Sequence, residues 1–195
     1  MIRIETCGNI ASGKTTLCRG LIAIGYRALF EDFQVNPFLE EFYRAPKVFS
    51  FETEITFLLQ HYHLLKKQKS TGPLACDYSL FQDLAYADVN LAGERHRIFC
   101  EIAAELINEI GLPSQIVHLM CPEEVLLERV RARSRDVESS ITLDYLRALS
   151  DAISSRVEGI SGQIPVITVD SYSTDFRSGV EGVRELELIN PIVKN

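Results

Sequence analysis

The chain has 195 residues, 46% of them hydrophobic and 9% aromatic, which is enough for one sizeable core and excludes a disordered chain. Twenty lysines and arginines stand against 27 acids, a net charge of −7, which argues against wrapping duplex nucleic acid or resting on an anionic membrane. Five cysteines, odd in number and without a C-x-x-C pair, suggest neither a disulfide framework nor a zinc knuckle. The length suits one domain carrying a lid. The start of the sequence lacks a basic flank with an apolar core, and no apolar run reaches about 18 residues, so the expected location is the cytoplasm.

In chain order, short apolar runs predict strands at Ile2–Cys7, Tyr26–Glu31, Pro73–Asp77, Gln115–Met120 and Pro165–Val169. They are apolar on both faces, as strands of a covered parallel sheet are. Helical patterns lie between them, over Lys14–Ile24, Pro37–Tyr43, Glu52–Lys69, Leu80–Leu91, Glu94–Ile110, Glu123–Arg133 and Leu143–Val157. In the third of these, Ile55, Leu58, Leu59, Tyr62 and Leu65 recur every three or four residues and predict one apolar stripe. Cys121-Pro122-Glu123-Glu124 puts proline early and acids in a first turn, a helix-start signature. Strand–helix alternation predicts an α/β fold, a five-stranded parallel sheet flanked by helices, with its functional edge at the carboxyl ends of the strands.

The sharpest motif is Gly8-Asn9-Ile10-Ala11-Ser12-Gly13-Lys14-Thr15-Thr16, which fits G-x-x-x-x-G-K-[ST] directly after a strand and at the start of a helix. Gly8 and Gly13 let the backbone curl so that N–H groups, including those from Asn9, Ala11, Ser12 and Thr16, point at phosphate oxygens. Lys14 then reaches the outer phosphates, and the Thr15 hydroxyl is placed to ligate Mg²⁺. Such a loop serves ATPases, GTPases and kinases alike. Small size and the lack of an obvious guanine-reading motif favour a kinase using ATP and Mg²⁺.

Glu31 and Asp32 end the second strand on the same edge as this loop. A carboxylate there can take a proton from an attacking hydroxyl, although a solvated strand end has the same signature. Asp77 ends the third strand, where an acid supports Mg²⁺ or simply caps a helix. Arg129, Arg131, Arg133 and Arg135 alternate; at i and i+4, Arg129 aligns with Arg133 and Arg131 with Arg135. Such a run is either a solvated face or a set of lid arginines, over about residues 131–141, that stabilises a transferring phosphoryl group. His61 and His63 are two apart on a helix and do not make a metal site. His118 reads as a core residue and His96 as a surface one.

These pieces, in this order, resemble the deoxyribonucleoside kinase family, especially its bacterial deoxyadenosine/deoxyguanosine kinase branch. The likeness runs through the phosphate loop, Glu31-Asp32, Asn36-Pro37-Phe38-Leu39-Glu40-Glu41-Phe42-Tyr43, Cys76-Asp77-Tyr78-Ser79-Leu80-Phe81-Gln82-Asp83, the arginine run and Leu143-Asp144-Tyr145-Leu146. The resemblance implies Glu31 as base for the nucleoside 5′-hydroxyl, Tyr43 and Glu138 as holders of the 3′-hydroxyl, and Asp77 as a Mg²⁺ carboxylate. It implies Asp83 as a base-reading acid, Arg129, Arg133 and Arg135 as lid arginines, and Asp175-Phe176 as the loop beside the ATP adenine. It also implies a homodimer.

Three positions depart from the family pattern. Tyr78 stands where an arginine pairs with the base carboxylate, so Glu31 lacks that partner unless another cation substitutes. Glu54 stands where a glutamine reads the nucleobase; ionised, it only accepts hydrogen bonds and suits guanine's N1–H and N2–H₂, while burial would protonate it. Asp32 replaces a proline. His61 falls where several members carry a base-contacting arginine. The expected function is phosphoryl transfer from MgATP to the 5′-hydroxyl of a (deoxy)nucleoside, purine favoured. The alternatives are a nucleotide-binding protein with weak or no kinase activity and a kinase for a modified nucleoside or another small metabolite.

Overall fold

The apolar runs become the strands of one sheet. The computed structural model describes residues 2–68, 72–178, 182, 183, 186 and 188. Its elements are β1 (Arg3–Gly8), α1 (Lys14–Ala23), β2 (Arg27–Leu29), α2 (Leu39–Arg44), α3 (Pro46–Lys66), β3 (Leu74–Cys76), α4 (Leu80–Asn90), α5 (Gly93–Ile110), β4 (Gln115–Met120), α6 (Glu123–Ala132), α7 (Leu143–Ile160) and β5 (Val166–Asp170). The five strands pair in the order β2-β3-β1-β4-β5, all parallel, as expected of the P-loop kinase-like α/β class. From β1 the chain crosses to the edge strand β2 and returns to β3 beside β1, then passes to β4 and β5 on the other side, so the order reverses at β1 and ligands gather beyond its carboxyl end.

Helices cover both faces. On one, Leu17, Cys18 and Leu21 of α1 pack with Ile4, Ala75, Val117, Leu119 and Phe176. On the other, α3, α4 and α5 enclose Leu58, Leu74, Cys76, Tyr78 and Phe99, and α7 meets β1 and β4 through Ile153, Cys7 and Ile116. A fully buried leucine such as Leu58 contributes about 2 kcal/mol. β1 also buries a charge pair: Arg3 Nε lies 2.9 Å from Glu5 Oε1, and Ser79 Oγ donates to Glu5 Oε2 at 2.7 Å. The cysteines are free, and Cys7, Cys18 and Cys76 are buried.

Most predicted elements shift by three residues or fewer, except at the start of α3. The predicted Pro37–Tyr43 helix is observed as the short α2, two residues later at its start and one at its end, and a 3₁₀ turn at Phe33–Val35 that was not predicted precedes it. α3 begins six residues before the predicted Glu52, because Pro46 sits in its first turn, where the missing N–H costs nothing. The predicted end of that helix at Lys69 lies outside the described residues. Leu59, placed on its apolar stripe, is 47% exposed, while Leu58 and Leu65 carry the packing. His118 is buried, as expected. Among the described residues no helix is long and apolar enough to cross a membrane.

Candidate active site

At the carboxyl edge of β1 the backbone leaves the sheet as the phosphate loop. Gly8 has no room for a side chain: a Cβ there would lie 2.6 Å from Ser12 Oγ and 3.0 Å from Leu119 Cβ. Gly13 takes φ 102°, a conformation costly for any other residue. The Lys14 ammonium donates to the carbonyls of Gly8 at 2.6 Å and Asn9 at 3.0 Å. Burial lowers its pKa, and Glu31 and Asp77 oppose that effect. Asn9 points its side chain away from the loop: its amide donates to Leu146 O and Ser150 Oγ of α7 at 2.7 and 2.9 Å, while Oδ1 accepts from Ile10 N–H at 2.7 Å. Gln82 accepts from Gly8 N–H at 2.9 Å. Asn9 and Gln82 therefore brace the loop from below.

Parallel register places Glu5 opposite Cys76 and Leu29 opposite Cys76 from the other side, so the residues just after β2 and β3 meet beside the loop. There Asp77 Oδ2 accepts from Thr15 Oγ1 at 2.9 Å, and Oδ1 accepts from Glu31 N–H at 2.6 Å. Burial raises the Asp77 pKa against these bonds and Lys14. Burial likewise raises Glu31, opposed by His61 and Lys14. Hydroxyl and carboxylate oxygens side by side are the donor set of a hard cation, and Mg²⁺ commonly takes only one or two protein oxygens beside phosphate and water. No cluster of three or more His, Cys, Asp or Glu side chains suited to a metal occurs among the described residues.

The loop opens into a cavity of about 610 Å³, within the usual range for small-molecule sites. Residues 10–16 of the loop, Glu31, Tyr43, Glu54, Asp77, Asp83, Arg129, Arg133, Arg135 and Glu138 line it together. Glu54 is 4% exposed and accepts from Asn90 Nδ2 at 2.8 Å; the same amide reaches Tyr145 OH at 3.0 Å. Burial, against the Asn90 bond, pushes the Glu54 carboxyl up to about 8. Burial also raises Tyr43.

On the opposite wall Arg129 donates to Ala11 O and Ser171 O at 3.4 and 3.1 Å. Glu138, 7% exposed, is gripped by Arg133 at 2.6 and 2.5 Å and touched by Arg135 at 3.3 Å. Arg135 also stacks over the Phe33 ring at 4.1 Å. Arg131, one helix face away, is exposed and outside the cavity. Phe176 packs under the loop beside Gly13, while Asp175 is exposed.

Four residues differ from expectation. Tyr78 does not line the cavity: it is fully buried, and its hydroxyl finds no hydrogen-bond partner. Its ring packs in the core beside Leu58 and Cys76 and stacks on His61. Glu138 spends its carboxylate on arginines, with Tyr43 nearby on the same wall. Gly8 and Asn9 offer carbonyls to Lys14 in place of cavity-lining groups.

The cavity also contains His61, which the family resemblance placed at a base-contacting position, and Tyr86, which the sequence did not single out. His61 of α3 lies with its Nδ1 2.9 and 3.0 Å from the Asp83 carboxylate, and Tyr86 and Tyr145 line the cavity with Glu54, whose carboxyl and the Tyr145 hydroxyl Asn90 joins. His61 also lies seven residues after Glu54 on the same helix, two turns along one face.

A model of the deoxynucleoside kinase family matches residues 2–192. A deoxyadenosine kinase of Dictyostelium discoideum is 28% identical over 96% of this chain and 83% of its own length. A deoxyguanosine kinase of Bacillus subtilis (strain 168) is 29% identical over 87% of this chain and 86% of its own. The solved structure of deoxyadenosine kinase from M. mycoides with bound dCTP superimposes with a TM-score of 0.82 at 19% identity, covering 94% of this chain and 97% of that one, a likeness of fold.

Proposed function

The chain belongs to the deoxynucleoside kinase family and is a phosphotransferase, and from that premise we propose that it moves the γ-phosphoryl group of ATP, with Mg²⁺, to the 5′-hydroxyl of a purine deoxynucleoside. The observation that carries this reading is the Thr15–Asp77–Glu31 arrangement beside Lys14 in one cavity. Glu31 takes the proton of the acceptor hydroxyl as its oxygen bonds to phosphorus and the bond from phosphorus to the departing diphosphate breaks. Lys14 turns from the Gly8 and Asn9 carbonyls to the outer phosphates, and Arg129, Arg133 and Arg135 offset charge on the phosphoryl group. Thr15 and Asp77 would hold Mg²⁺, which would neutralise phosphate charge. Tyr43 and Glu138 hold the sugar, and Asp83 with Glu54 reads the base.

A neutral Glu54 carboxyl has one donor and one acceptor, which suits the adenine edge and the guanine edge alike. The segment of about residues 131–141 acts as the lid. Tyr78 takes no direct part. The cytoplasm and a homodimer remain part of this reading.

The test is transfer from MgATP to a panel of purine and pyrimidine nucleosides, with and without the 2′-hydroxyl. Turnover confined to purine deoxynucleosides supports the reading. ATP bound with silence across the panel overturns it in favour of a nucleotide-binding role or another acceptor.

A further inference from the structure

His61 is the one cation-forming side chain at the nucleoside end of the cavity among the described lining residues; Lys14, Arg19, Arg129, Arg133 and Arg135 stand around the phosphate loop and lid. It is 3% exposed. Asp83 of α4 holds its Nδ1 through both carboxylate oxygens, at 3.0 and 2.9 Å. The Tyr78 ring lies flat against the imidazole, with centroids 4.1 Å apart and planes 7° apart, and Phe57 flanks it at 6.0 Å and 28°. One ring nitrogen and one ring face are thus taken. The other nitrogen, Nε2, is buried without a hydrogen-bond partner, at a residue lining the cavity that holds Glu31. With Nδ1 donating to Asp83, Nε2 is a bare acceptor in the neutral ring and an N–H only in the imidazolium; an unpartnered buried N–H costs about 1–3 kcal/mol, so the charged ring calls for an acceptor.

Building on the proposed function, we propose that His61 is the positioning cation of the acceptor site: clamped by Asp83 and stacked on Tyr78, it directs Nε2–H toward the Glu31 carboxylate and orients that group for the 5′-hydroxyl. The facing groups agree. Asp83 comes from α4, Glu31 from the segment after β2, and Asp77 from the segment after β3. Burial disfavours the imidazolium, but Asp83 and then Glu31 and Asp77 outweigh it and raise its pKa. Tyr78 is the platform: the negative face of its ring favours a cation lying over it. A neutral aromatic at 78 and a cation at 61 are therefore one device, with the charge supplied from the helix opposite.

The experiment uses the full chain and its best nucleoside from the panel. His61→Gln keeps polar bulk against Asp83 without the charge; it is expected to bind ATP normally and to lose about 100-fold in kcat with little change in nucleoside KM, the loss typical of one removed electrostatic donor. His61→Ala is expected to lose as much and to regain at least about tenfold when free imidazole enters the vacated space, a response a purely structural residue does not give. A kcat of His61→Gln within about twofold of the parent overturns the role, and so does a loss confined to nucleoside KM, which would make His61 a base reader. Failure of the parent enzyme on every nucleoside overturns the proposed function and this role together, whereas an active parent with indifferent His61 variants overturns this role alone.

Discussion

Glu54→Gln probes a carboxyl that folding forces to hold its proton. The side chain is 4% exposed, and its folded pKa is about 8 against an ordinary 4.5. A raised pKa means tighter proton binding in the folded state. Its contribution to stability is therefore whole below 4.5 and is lost as pH rises through about 8. At pH 7 the penalty spans about 2.5 pKa units, or ~3 kcal/mol, and it grows from ~1 kcal/mol at pH 5.5 to ~4 kcal/mol at pH 8. Glutamine keeps the acceptor for Asn90 and titrates nowhere in this range. Urea unfolding of both proteins between pH 5.5 and 8 should show their stability gap widening by ~3 kcal/mol in favour of Glu54→Gln. Transfer to an adenine nucleoside should also fall in the parent as pH passes about 8, while transfer to a guanine nucleoside, whose N1–H and N2–H₂ suit the ionised form, should persist. Parallel stability curves for the two proteins would refute the argument.

Lys14→Ala should abolish ATP-dependent transfer, by more than about 100-fold, with a thermal midpoint close to that of the parent, because the side chain faces the cavity; retained activity would remove the loop from the mechanism. Glu31→Gln should keep ATP affinity in isothermal titration and lose turnover; equal losses in both would make Glu31 structural. Tyr78→Phe should raise stability by about 1 kcal/mol in denaturant titration, since it deletes a buried hydroxyl with no partner and keeps the ring against His61.

The fold was legible where chemistry is local. The phosphate loop reads from its spacing, and the alternation of short apolar runs with helical stripes is enough for a covered parallel sheet. The start of α3 was not legible in the same way: Pro37 and Pro46, nine residues apart, each mark a helix start, and the buried Phe42 and the Asn36 amide bond to Thr53 O tie the two helices together at a level that spacing does not show. In the site, Thr15 could be placed by the loop motif, and Glu31 and Asp77 by strand-end reasoning. The Glu54–Asn90–Tyr145 and His61–Asp83 contacts could not, since each joins helices whose angle and register depend on the whole core.

Four carboxyls share the inner cavity (Glu31, Glu54, Asp77 and Asp83), and at such spacing they cannot all be ionised without compensation. The fold answers each differently. Glu54 is neutral at physiological pH, with Asn90 fixing one oxygen. Asp77 takes a hydroxyl from Thr15 and the Glu31 amide. Asp83 takes the imidazole. Glu31 is left with the weakest local support, which is what a proton acceptor needs, and also with the strongest dependence on what stands opposite. An arginine at 78 would supply a permanent charge there. Tyr78 removes it, and the removal is tolerable only because the flat ring left behind is the surface on which His61 rests, between Asp83 and the cavity. The two positions therefore have to be read together: Tyr78 alone looks like lost chemistry and His61 alone like an idle core histidine, yet stacked at 4.1 Å they restore a positive group to the acceptor site.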